Sequence, residues 1–248
     1  MQDMAPLTED VQGDLSELPE EYVWLEGGQA FIACAFYTAN YLPQILSLKC
    51  SLEALGINHY FKRYERAATW EATTRLKPVF VAHCLERFPN KDVLYLDADA
   101  VVRKPLDFFG SLQTDICILF DPTKLGGKSC LRIAAGTLFI RNTEGGRRFS
   151  RLWKDAERFC KPLTLDEDMI YMAFEDMSGI TMTVLPPAYS KIFDKPGVEP
   201  IIEHFQASRG QFKWRRLIRR ARRAGMMVGG AAAATLAWWI GQHLTWVS

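Results

Sequence analysis

The chain has 248 residues, 48% hydrophobic and 24% charged, with a formal net charge of +1. These values are ordinary for a soluble globular protein, with room for one sizeable α/β core and appendages. The near-zero balance excludes a uniformly basic or acidic chain but hides an asymmetry: residues 1–21 carry seven acids and no bases, and residues 210–248 seven bases and no acids.

The acidic leader, residues 1–26, has no periodic apolar face and is expected to be disordered. Order is expected from Gln29 to Tyr37, an apolar run with the composition of a central strand. Tyr41 to Leu55 follows with Ile45, Leu48, Leu52 and Leu55 on one helical face and Gly56 placed to end it. Asn58 to Tyr64 alternates as a second strand. Thr69 to Phe88 reads as a turn entering a helix, with Pro78 in its first turn. Within Asp92 to Val102, DVLYLDADAVV, the short apolar run Val93–Leu96 reads as a buried strand that ends on Asp97-Ala98-Asp99. Strands then follow at 115–120 and 133–141 around a polar loop containing Gly126 and Gly127. Helices follow at 144–160 and 165–174, and strands at 180–185 and 201–205. Strand alternating with helix in the first half predicts a parallel α/β sheet, with ligands beyond the C-terminal strand ends.

Asp97 and Asp99 close the third strand with only Ala98 between them. If the chain stays extended there, both carboxylates leave the same side, with Cα atoms roughly 6–7 Å apart. Two hard oxygen ligands in that place suit a divalent ion with open positions for diphosphate oxygens. The six cysteines (34, 50, 84, 117, 130 and 160) show no Cys-x-x-Cys spacing, which argues against zinc. Their apolar surroundings, and the lack of an N-terminal signal sequence, lead us to expect a reducing, cytoplasmic setting.

Tyr95-Leu96-Asp97-Ala98-Asp99 resembles the Asp-x-Asp strand of GT-A nucleotide-sugar glycosyltransferases, particularly the glycogenin-like retaining group, glycosyltransferase family 8. The resemblance covers roughly residues 29–209. It implies a Rossmann-like GT-A mixed sheet flanked by helices over residues 27–209, and transfer of a sugar from a nucleotide-diphosphate donor, UDP-sugar favoured. In that frame Phe36-Tyr37-Thr38 stands where the family receives the base and ribose, and Arg75 and Lys77 where phosphate charge arrives. Gly136 and Thr137, in Ala135-Gly136-Thr137-Leu138-Phe139, resemble the glycine-started strand beside the donor sugar. Asp166-Glu167-Asp168 resembles an Asp-Gln-Asp segment, which makes Asp166 and Glu167 the catalytic candidates; Glu167 departs from the usual Gln. His204 resembles the late His that completes a Mn²⁺ (or Mg²⁺) site with Asp97 and Asp99, and Arg209 or Lys213 would neutralise the leaving diphosphate.

The tail divides in two. Residues 210–224 place Trp214, Leu217, Ile218 and Ala221 on a stripe among arginines, as in a helix on an anionic membrane surface. Within residues 225–248, residues 225–247 contain no charged side chain. At 1.5 Å per residue that stretch is long enough to span a bilayer or lie in it. Membrane association through 213–247 would suit a lipid-linked or surface-glycan acceptor. The open alternatives are a sugar nucleotidyltransferase, a non-catalytic nucleotide-sugar binder, and a nucleic-acid-binding protein using the arginine-rich arm.

Overall fold

A computed structural model describes residues 18–125 and 128–207. Most of the leader, Arg209 and the whole basic and hydrophobic tail lie outside the described residues. Among those described, no helix is long and apolar enough to cross a membrane.

The strands are β1 (Glu21–Trp24), β2 (Phe31–Tyr37), β3 (His59–Arg63), β4 (Asp92–Leu96) and β5 (Ala100–Val102), then β6 (Ile116–Leu125), β7 (Lys128–Ile140), β8 (Met182–Val184), β9 (Lys191–Ile192) and β10 (Ile202–His204). The helices are α1 (Leu42–Ala54), α2 (Trp70–Thr74), α3 (Lys77–Arg87), α4 (Asp107–Gly110), α5 (Glu144–Asp155) and α6 (Asp166–Phe174). Seven strands form one sheet in the order β1-β3-β2-β4-β7-β6-β8, and three form a small sheet in the order β5-β10-β9. β3, β2 and β4 run parallel, while β7 is antiparallel to both β4 and β6. The parallel sheet expected from the first half is therefore the parallel part of a mixed one.

β2 is buried along its whole length because it has covering layers on both faces. Ile32, Cys34 and Phe36 face α3, α5 and α6 through Phe80, Cys84, Phe149, Trp153 and Met169. Phe31, Ala33, Ala35 and Tyr37 face α1 and α4 through Ile45, Leu48, Leu52 and Phe109. Each fully buried Leu or Phe of these layers contributes about 1.5–3 kcal/mol of transfer free energy. Local signals set the helix ends. Gly56 takes φ +63° after α1, Thr69 accepts from Ala72 N to start α2, and Thr143 accepts from Gly146 N to start α5.

The structure corrects the sequence reading in four places. The leader does not extend to residue 26, because β1 pairs with β3. Tyr22 and Trp24 stack on His59, and Glu21 forms an ion pair with Lys62. The chain does not stay extended through Asp97–Asp99, and a second strand, β5, follows. The chain turns at Asp97–Asp99, with Ala100 N donating to Asp97 O at 2.9 Å. The 144–160 helix ends at Asp155 and continues as a 3₁₀ turn, so Phe159, expected on its buried side, is 60% exposed. Finally, β6 and β7 form a much longer hairpin than expected, with a register break. Ile118 pairs with Leu138 but Leu119 pairs with Ala134, so Ala135, Gly136 and Thr137 have no counterpart on β6.

Candidate active site

The turn at Asp97–Asp99 passes the chain from one sheet to the other, and each sheet brings a partner to it. On the large sheet, Leu96 is opposite Thr137 and Asp97 N donates to Gly136 O at 2.8 Å. On the small sheet, Ala100 is opposite His204 and Phe205 N donates to Asp99 O at 3.1 Å. Two carboxylates and one imidazole therefore converge. One ligand atom each from Asp97, Asp99 and His204 lies within 4.8 Å of the others, and His204 Nδ1 is 3.9 Å from Asp99 Oδ1. It is the turn that brings the two acids together, not an extended strand.

The register break on β7 serves this junction. Without a counterpart on β6, Ala135 offers its carbonyl to Lys77 Nζ at 3.0 Å, while the Gly136 carbonyl continues the β4 ladder by accepting from Asp97 N. A side chain at Gly136 would meet Asp97 Oδ2 at 3.2 Å and His204 Cε1 and Nδ1 at 3.1 and 3.2 Å. A Cβ here would crowd the acid and the ring, so glycine suits the close approach.

Asp97 is oriented from behind. Its Oδ1 accepts from the Tyr95 hydroxyl at 2.8 Å and faces Lys77 Nζ at 3.0 Å, which leaves Oδ2 toward Gly136 and His204. His204 Nε2 lies 2.8 Å from Thr137 Oγ1. Oxygen and imidazole donors grouped this way suit a divalent cation that prefers hard ligands, so the residues present fit the expected metal.

Lys77 opens α3 and is buried. Besides Asp97 it meets Asp166 Oδ2 at 2.6 Å, as an ion pair rather than a well-angled hydrogen bond, and it lies 5.0 Å from the Tyr95 ring centroid. Burial pulls its pKa down, but the charges of Asp166 and Asp97 outweigh burial and leave it above the ordinary lysine value. Asp166, at the start of α6, is pushed up by burial and lowered by Lys77, with the Asp97 charge raising it again; the net direction is up. Glu167 is also raised by burial, against the Arg132 hydrogen bonds that lower it. Arg132 grips it through both carboxylate oxygens, at 3.0 and 2.8 Å.

The other sequence candidates are distributed unevenly. Phe36 packs between Tyr64, Phe80 and Tyr95 in the core, and Tyr37 and Thr38 are 3% and 4% exposed. Thr137, expected beside a donor sugar, is fully buried behind His204. Arg75, expected to meet phosphate, is engaged by Glu157 at 3.1 Å and by the Thr164 carbonyl at 3.1 Å. Lys77 is held between two acids. Sequence reasoning missed Tyr95, Arg132 and Tyr41. Tyr95 lies two residues before Asp97 on the same strand face, a signal that alternation offers. Tyr41 stands near both acids: burial, then the charges of Asp99 and Asp97, push its phenol pKa up.

No protein-family model and no curated protein sequence matches the chain. Solved structures do. One is a glycosyltransferase involved in the glycosylation of the major capsid of PBCV-1, with TM-score 0.57 and 16% identity over 73% of this chain and 96% of that one. Another is the apo-form glycosyltransferase GlyE of Streptococcus pneumoniae TIGR4, with TM-score 0.51 and 16% identity over 73% of this chain and 55% of that one. This chain thus spans about half the length of the second structure. At these identities the likeness is one of fold, and the mixed α/β sheet with its helical layers is a glycosyltransferase fold.

Proposed function

We propose that the chain is a metal-dependent glycosyltransferase that moves a sugar from a nucleotide-diphosphate donor, UDP-sugar foremost, to a glycan or lipid-linked acceptor, with retention at the anomeric carbon. The observation that carries this reading is the meeting of Asp97, Asp99 and His204 at the strand-end turn of a glycosyltransferase fold. Mn²⁺, or Mg²⁺, held by these three would stabilise the negative charge that develops on the departing diphosphate.

The chain's own groups do the rest. Tyr95 and Lys77 keep Asp97 Oδ1 occupied, so the carboxylate presents its other oxygen in a fixed direction. Lys77 also ties the position of Asp166 to that of Asp97, so the acid opening α6 and the acid at the turn move together. Asp166 and Glu167 then orient the sugar and ease the positive charge at its anomeric carbon. Arg132 on both oxygens of Glu167 opposes the burial that raises its pKa and fixes the carboxylate's orientation. The basic and uncharged stretches of 213–247 tether the protein to an anionic membrane surface on its cytoplasmic side.

Donor hydrolysis tests the reading without knowledge of the acceptor. The full chain is assayed for release of nucleotide from UDP-, GDP- and CDP-sugars with and without Mn²⁺. We expect release that needs Mn²⁺ and disappears in Asp97→Ala. Release that persists unchanged in that variant sinks the assignment.

A further inference from the structure

We propose that Thr137 is a positioning residue for the cation site: it holds the His204 ring by accepting a hydrogen bond from Nε2–H, so that the Nδ1 lone pair faces Asp97 and Asp99. This rests on the metal-dependent reading above. A neutral imidazole has one N–H and one lone pair, and a hydroxyl can meet either of them. If Thr137 donated to Nε2, the proton would sit on Nδ1, and the ring would offer a cation between the carboxylates no ligand atom. If Thr137 accepts from Nε2, Nδ1 is free on the side where the acids converge.

The surroundings leave this contact little freedom. Thr137 is 0% exposed and His204 5% exposed, so bulk solvent does not replace the 2.8 Å contact. The Thr137 backbone is pinned opposite Leu96, and the adjacent Gly136 lets the ring come close. A β-branched residue in a strand also has restricted χ1 freedom, which holds the hydroxyl in place. Thr137 therefore acts through His204 rather than on the donor sugar.

The test compares Thr137→Val, which keeps the shape and removes the hydroxyl, with Thr137→Ser, which keeps the hydroxyl. Mn²⁺ affinity of the full chain is read by electron paramagnetic resonance of the free ion. The His204 tautomer is read by ¹⁵N NMR of the metal-free protein, with the signal assigned through His204→Gln. We expect Thr137→Val to weaken Mn²⁺ binding about 10–100-fold and to lose the Nε2–H tautomer, while Thr137→Ser stays near wild type in both. Thr137→Val binding Mn²⁺ as tightly as wild type overturns the proposal, and so does a wild-type His204 carrying its proton on Nδ1. A wild type that binds no Mn²⁺ overturns instead the metal reading on which the proposal rests. The tautomer measurement still separates that failure from a failure of the Thr137 contact.

Discussion

The two halves of the site handle negative charge differently. At the turn, Asp97 and Asp99 face each other and an imidazole, and the lysine that reaches Asp97 lies behind it, on the oxygen turned away from His204. At the start of α6, Asp166 meets Lys77, which it shares with Asp97, and Glu167 meets Arg132. One half gathers two acids about an imidazole, and the other is matched acid to base within the fold. A carboxylate pair alone says little; where its counter-charges lie decides whether it awaits a cation.

Three experiments test this contrast, from the largest expected effect to the smallest. Lys77→Met removes the base from the matched half and leaves buried Asp166 without its ion partner. The loss should be about 3–5 kcal/mol in urea or thermal unfolding. Its pH dependence has a defined sign. A lysine whose folded pKa is raised contributes in full below its unfolded value, about 10.4, and loses that contribution as pH climbs through the folded value. The stability gap between wild type and variant should hold through neutral pH and narrow above that point. A gap that widens there contradicts the ion-pair account.

Next is the turn. Mn²⁺ at a hundred times its dissociation constant should stabilise wild type by about 2.7 kcal/mol, seen as a raised midpoint in thermal unfolding, and Asp97→Ala should show no rise. An equal shift in both proteins would place the cation elsewhere. The smallest effect is expected from Arg132→Leu, whose side chain is 56% exposed. Solvent screening limits the loss to about 1 kcal/mol or less. A loss of several kcal/mol would show that this pair is structurally central, not peripheral.

Much of the fold was legible because its signals are local. The β2 run, the α1 apolar face and the Asp-x-Asp strand each carry their pattern within a dozen residues. The three residues that converge at the turn were also named from sequence, two by spacing and His204 by resemblance. What could not be read depends on distant partners. Arg75 appears available in sequence, but its partner Glu157 lies 82 positions away. Glu167 stands where a neutral Gln is usual in the related pattern, and Arg132, which neutralises it, is 35 positions upstream. Thr137 looked like a ligand-facing residue because a glycine precedes it. The antiparallel pairing of β7 with β4 turned it toward His204 instead, and pairing partners are not written in a strand's own composition.

The three unpaired residues of β7 have a consequence for how this chain can vary. Removing one of them would draw the hairpin toward a continuous ladder and withdraw the Ala135 carbonyl from Lys77. Single-residue deletions should therefore be least tolerated inside what reads as an uninterrupted strand, the reverse of the usual rule that length varies most freely in loops.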